Sequence, residues 1–252
     1  MKIALFQSDI AWENPQANFD RAEPQIKAAA AAGAQLILLP EMFGCGFSMN
    51  TQAIAEAPEG PTATFLRRCA QTYGLWVGAT FPRLAPGDER PTNRFLLAGP
   101  DGGEVNYDKI HPFSFAKEDQ FYRAGTEFVH ATIEGVRFTL FVCYDLRFAD
   151  EFWNTADQSD AYLIVANWPD KRREHWRTLL RARAIENQAY VAAVNRVGEG
   201  SGLSYSGDSV VLDPWGVPLC EASKDEVLLL ADIDAARVAD AREKFPIRAD
   251  RR

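Results

Sequence analysis

Short apolar runs alternate with longer segments of helical period along most of the chain. Residues 2–7 (KIALFQ) read as a strand. Residues 17–32 carry a helical pattern that stops at Gly33, a residue suited to a left-handed cap, with Pro24 expected to kink or shorten it. Residues 35–39 form a continuous apolar strand ending at Pro40-Glu41. Pro61 opens a second helix, where its missing N–H costs nothing, and Gly74 closes it. Strands follow over 75–81, 94–98 and 105–109, the last two joined by Pro-Asp-Gly-Gly, a strong turn signal. The rhythm then returns: a strand over 136–142, a helix over 148–155, a strand over 161–166, a long helix over 171–188 and a strand over 190–195. Residues 208–212 and 217–220 flank Asp-Pro-Trp-Gly as a hairpin, and 227–233 closes the series before a short charged helix. This alternation predicts an α/β fold, and the late hairpins predict mixed rather than purely parallel sheets. No Gly/Ser-rich linker interrupts the pattern, so one compact domain over residues 1–252, with two similar halves, is expected.

Composition narrows the partners. At 47% hydrophobic and 25% charged, a packed core is expected. Formal net charge is −8, and the densest basic run, Lys171-Arg172-Arg173, sits between Asp170 and Glu174. A nucleic-acid platform needs a broad basic face, so no nucleic-acid partner is expected. No apolar run approaches 18 residues and Met1 leads directly into a strand, so neither a membrane span nor a signal peptide is expected and a cytoplasmic location follows. Four cysteines, at 45, 69, 143 and 220, lie far apart without CxxC or His/Cys clustering. That excludes the usual metal-site spacings and fits a reducing compartment; no metal and no cofactor are expected.

Three polar residues stand where predicted strands end: Glu41 after LILLP, Lys109 after VNYD and Cys143 after FTLFV. Ligand sites in α/β sheets form beyond the carboxyl ends of strands. A buried cysteine is by default a small, inert hydrophobe, and a strand-end Glu or Lys is by default solvated. Together they permit more. A free thiol of pKa near ~8.5 is only slightly ionised at neutral pH. A carboxylate whose pKa is raised by burial can take its proton, and an ammonium can stabilise the thiolate and a developing oxyanion. The backbone N–H of Tyr144, on a strand-to-helix turn, is a second candidate oxyanion donor. A histidine base is the alternative. Of the three histidines, His130 reads as structural, while His111 and His175 leave a Cys-His pair open. No G-x-S-x-G elbow supports a serine nucleophile.

Several ordered segments carry a family resemblance. LLPEMF (38–43), YDKIHPFSF (107–115) and CYDLRF (143–148) are similar to the three signature segments of the nitrilase superfamily of carbon–nitrogen hydrolases. NWP (167–169), RARAIENQAYV (181–191), VNR (194–196) and SGDSVVLDPWG (207–216) resemble its further blocks, so the likeness runs to about residue 233. It implies a four-layer α-β-β-α sandwich with two mixed sheets, a homodimer, and a triad of Glu41 as base and acid, Lys109 as cation and Cys143 as nucleophile. Glu118, in AKEDQFYRAG, falls where many members place a second glutamate.

Cys-Tyr-Asp at the nucleophile is similar to the amidase branches, where nitrilases proper carry Cys-Trp-Glu. The full pattern most resembles the omega-amidases, which implies hydrolysis of omega-amides of dicarboxylates, such as 2-oxoglutaramate, to acid and ammonia through a thioester. Another small C–N substrate, such as an N-carbamoyl compound or a neutral amide, is the alternative within the superfamily. A non-catalytic scaffold is the alternative outside it. Lys117 departs from the small residue, often Gly, expected there, and is expected to add bulk and charge at the pocket rim. Arg147, four residues past Cys143, can present a planar guanidinium to a substrate carboxylate, or pair with Asp145 or another acid. Asp145 is expected to brace the loop. Phe43, Phe115 and Trp168 are candidate apolar pocket walls.

Overall fold

The computed structural model describes residues 1–250. Thirteen strands run β1 (Lys2–Gln7), β2 (Leu36–Leu38), β3 (Trp76–Arg83), β4 (Thr92–Ala98), β5 (Glu104–Asp108), β6 (His130–Ile133), β7 (Val136–Val142), β8 (Ala161–Ala166), β9 (Tyr190–Asn195), β10 (Val197–Gly200), β11 (Leu203–Leu212), β12 (Pro218–Ser223) and β13 (Val227–Asp232). Seven α-helices join them: α1 (Pro15–Ala31), α2 (Thr51–Ile54), α3 (Pro61–Tyr73), α4 (Glu118–Phe121), α5 (Ala149–Thr155), α6 (Arg173–Asn187) and α7 (Ala235–Lys244). One sheet has the order β13-β1-β2-β3-β4-β5; the other runs β10-β11-β9-β8-β7-β6, with β12 also paired to β11. In each sheet a parallel trio, β1-β2-β3 or β7-β8-β9, is extended by antiparallel strands. Both sheets are therefore mixed, as the hairpins predict.

The layers follow from the period-two alternation of strand side chains. In the first sheet Ile3, Leu5, Leu36, Leu38, Phe95 and Leu97 share a core with Phe138, Leu140, Val142, Leu163 and Val165 of the second. Their neighbours Ala4, Phe6, Ile37, Leu39, Leu96 and Ala98 pack on the opposite side, against Phe19, Ala22 and Ile26 of α1 and Ala63, Leu66 and Cys69 of α3. Phe152 of α5, Trp176, Leu180 and Ala184 of α6, and Val238 of α7 join the core on the second sheet. The result is the α-β-β-α sandwich. Among the described residues no helix is long and apolar enough to cross a membrane.

Three local expectations need correction. Helix α1 is not shortened at Pro24 but continues to Ala31. Beside Pro24, Ala22 and Ile26 stay buried against the sheet, so tertiary packing supports the helix despite the lost N–H. Residues 171–188 are not one α-helix: a tight turn over Asp170–Arg172 precedes α6. Strand β10 is also new; its Val-Gly-Glu-Gly carries almost no apolar signal and is a strand only through pairing with β11.

Candidate active site

The polar residues that follow β2, β5, β7 and β8 meet in one buried cluster. Glu41 and Glu118 are fully buried and Lys109 nearly so. The Lys109 ammonium donates to Glu41 Oε1 at 2.9 Å and to Glu118 Oε2 at 2.9 Å. Glu41 also accepts from the Asn93 amide at 2.8 Å on Oε1 and from the Asn167 backbone N–H at 2.8 Å on Oε2. The Asn167 side chain donates to the Glu41 backbone carbonyl. Glu118 Oε2 further accepts from Phe113 N–H at 2.5 Å, and Asn93 reaches Glu118 Oε1 at 3.2 Å. Every carboxylate oxygen thus has a donor, the condition for burying charge.

Burial alone would depress the Lys109 ammonium. Glu118 and Glu41 outweigh it and hold its pKa well above the usual lysine range. Burial raises the Glu118 carboxyl, against the pull of Lys109 and reinforced by Glu41. Two acids face one base, so the cluster has room for one more proton.

Cys143 opens a tight turn, Cys143–Arg147, directly after β7. Its φ of +48° lies in the left-handed region, which a non-glycine residue occupies at a cost of roughly 1–2 kcal/mol. This bend carries the thiol off the line of the strand. Asp145, fully buried, fastens the turn. Its carboxylate accepts from Val142 N–H and the Tyr107 hydroxyl on one oxygen, and from His111 N–H on the other. Burial pushes the Cys143 thiol well up, Glu41 pushes it further, and Lys109 opposes both. Burial also lifts Cys69, to about 12. Burial thus acts on Cys143 as on an ordinary core thiol; a base and a cation beside it set it apart.

A pocket of about 70 Å³ opens onto Cys143. Tyr144, Arg147, Trp168, Phe47, Phe113 and Tyr205 form much of its wall. The Arg147 guanidinium lies 4.7 Å over the Trp168 ring and contacts His175 Nδ1 at 3.1 Å, and it is in no ion pair among the described residues. Burial sets its pKa below the usual arginine value, against the pull of Tyr144 and with a smaller contribution from the repulsion of Arg172.

Two proposed walls lie elsewhere. Phe43 is 2% exposed and packs with Phe19 and Phe65 between the helices and the first sheet. Phe115 is 84% exposed and touches only the ring of Phe113 among the described aromatics. Phe47 and Phe113, four residues along from one and two back from the other, face the pocket instead. Lys117 is exposed and does not line the pocket. Its φ is +61°, so a glycine suits that position for backbone reasons. The histidines are engaged elsewhere: His111 with Asp145 and Glu151, His130 with Thr139, and His175 with Arg147. Sequence reading overlooked Asn93, Asn167, Tyr205 and Arg172. Asn167 stands in the NWP block, and Tyr205 and Arg172 lie near recognisable blocks; Asn93 carried no signal.

Residues 2–243 match the carbon–nitrogen hydrolase family, a span that contains every residue of the cluster and the pocket. The chain belongs to that family. It is 39% identical over 248 residues to the omega-amidase YafV of Escherichia coli, covering 98% of this chain and 94% of that one. It is 31% identical over 250 residues to a 2-oxoglutaramate amidase of Bacillus subtilis, covering 97% and 95%. A superfamily protein from Xanthomonas campestris, whose crystal structure carries an arsenic adduct in the active site, superposes with a TM-score of 0.93 at 38% identity, covering 100% of this chain and 97% of that one. This carbon–nitrogen hydrolase thus shares its architecture over its full length with enzymes of the family.

Proposed function

We propose that the protein is an omega-amidase, hydrolysing the terminal amide of a dicarboxylate monoamide such as 2-oxoglutaramate. The observation that carries this is Arg147, a guanidinium without an acid partner in the wall of the pocket that holds Cys143. The named activities of the E. coli and B. subtilis relatives support it.

In the proposed mechanism Glu41 takes the Cys143 proton, which fills the vacancy in the two-acid, one-base cluster. The thiolate attacks the amide carbon. The Lys109 ammonium and the Tyr144 N–H receive the oxyanion, and Glu118 keeps Lys109 aimed and charged. Glu41 returns the proton to the departing ammonia, then takes one from the water that cleaves the thioester and gives it to the Cys143 sulfur as that bond breaks. Tyr144 and Trp168 wall the substrate chain, and Arg147 receives its distal carboxylate.

The test is ammonia release from 2-oxoglutaramate and from an uncharged amide of equal length. Arg147→Met should lower kcat/KM on the charged substrate by roughly 30- to several-thousand-fold, the equivalent of ~2–5 kcal/mol for an unpaired buried carboxylate. The neutral amide should change little, and Arg147→Lys should recover only part of the loss. Equal losses on both substrates would make Arg147 structural and leave the neutral-amide alternative standing.

A homodimer is also proposed. Ile185, Trp215, Val217 and Phe245 are exposed; Trp215 and Phe245 are stacked 6.4 Å apart, and Ile185 packs over Gly216. Such a contiguous apolar surface suits a second copy of the chain. Light scattering should give twice the chain mass, reduced to one by Trp215→Glu with Val217→Glu; a monomeric wild type would refute it. Three buried thiols and one half-buried suit a reducing, cytoplasmic location.

A further inference from the structure

The pocket carries a second cation. Arg172, in the tight turn before α6, is half-buried, lines the same pocket and lays its guanidinium 5.2 Å over the Phe113 ring. It is in no ion pair among the described residues, and Asp170, two positions earlier, is exposed and outside the lining. One wall ties the two arginines together: Arg147 stacks on the Trp168 ring, and the Trp168 indole N–H donates to the Arg172 carbonyl at 2.8 Å. Their mutual repulsion is one cause of the depressed Arg147 pKa. No carboxylate belongs to the lining, so the charge at this end of the pocket is positive throughout.

A carboxylate neutralises one guanidinium. What stands beside that carboxylate on the substrate then meets the other. An oxo or hydroxyl oxygen accepts a hydrogen bond from it, whereas an ammonium meets a like charge in a partly desolvated site and finds no acid to pair with. We propose that Arg172 is a specificity-determining residue that refuses an ammonium on the carbon next to the substrate carboxylate. The pocket would then accept 2-oxo-acid amides and turn away the corresponding 2-amino acid, glutamine. This rests on the omega-amidase assignment and adds a discrimination that Arg147 alone cannot make, since both substrates offer Arg147 the same carboxylate.

The experiment compares kcat/KM for 2-oxoglutaramate, succinamate and L-glutamine in the wild type and in Arg172→Gln, Arg172→Glu and Arg172→Lys. The preference for 2-oxoglutaramate over glutamine should fall about 10- to 100-fold in Arg172→Gln, the scale of one unfavourable charge contact at close range. It should fall further in Arg172→Glu and hold in Arg172→Lys. A preference unchanged within about threefold in both neutral and acidic variants, or lost equally in Arg172→Lys, would overturn the inference. The wild type supplies a check that needs no variant. 2-Hydroxyglutaramate, uncharged at that carbon, should be hydrolysed at a rate near that of the oxo acid; refusal like that of glutamine would assign the discrimination to shape. A wild type inactive on both 2-oxoglutaramate and succinamate would instead remove the omega-amidase assignment, and this inference with it.

Discussion

Cys143→Ala should reduce amide turnover to background, a loss of roughly 10⁴-fold or more, the scale seen when a covalent nucleophile is removed. The fold should survive. Alanine keeps the Cβ and adopts the φ of +48° at the same cost as cysteine, and the lost sulfur gives up a contact of 4.0 Å with the Asn167 carbonyl and its interaction with Glu41. The destabilisation should stay within about 1–2 kcal/mol. Unfolding curves and steady-state ammonia release measure the two halves of this expectation. Mass spectrometry of the wild type quenched during turnover should show an acyl adduct on Cys143. Turnover near the wild-type level in the alanine variant would end the thiol mechanism.

Lys109→Met should lower kcat by at least ~10²–10³, the usual loss for an oxyanion donor, with a further loss if the ammonium also supports the thiolate. It should also destabilise the protein by ~3–5 kcal/mol, because Glu41 and Glu118 would remain buried without a cation. The two effects can be separated. Adding Glu118→Gln removes one stranded charge, so Lys109→Met with Glu118→Gln should regain much of the stability and none of the rate. Recovery of both would make Lys109 a structural ion-pair partner. Glu41→Gln should likewise lose at least ~10²-fold in rate. Its stability cost should be about 1–3 kcal/mol, since an amide has one acceptor oxygen where three donors converge. More than a tenth of wild-type turnover in that variant would exclude Glu41 as the base.

The alternation of apolar runs with helical segments made the α/β class and the mixed sheets legible, whereas the four layers came from the family resemblance; in the structure β1 and β4 each serve two cores and cannot slip by one residue without inverting both. The turns after β2, β5 and β7 were legible too: an apolar run ending in one charged or thiol residue marks a strand end. Asn93 was not. It lies inside β4, and only pairing with β3 and β5 brings its amide between Glu41 and Glu118. Asn167 stands in the quoted NWP block, but its role was not readable there, since it meets the Glu41 carboxylate through a backbone N–H. The pocket walls failed where nearness in sequence stood in for direction. Phe43 and Phe47 belong to one irregular segment, yet one faces α1 and α3 and the other faces Cys143.

The pairing of β1 with β13 bears on how the chain emerges from the ribosome. Residues 2–7 are made about 220 residues before their antiparallel partner, residues 227–232. At about 5–20 residues per second, β1 waits roughly 10–45 seconds for the strand that covers its edge. Until then a continuous apolar run presents open N–H and C=O groups, the usual template for pairing with another chain. Glu41, Asn93, Lys109 and Glu118 leave the ribosome well before Asn167 arrives to complete the shell around Glu41. A nascent chain stalled between residues 205 and 227 therefore holds every residue of the site and lacks the strand that covers the edge of β1.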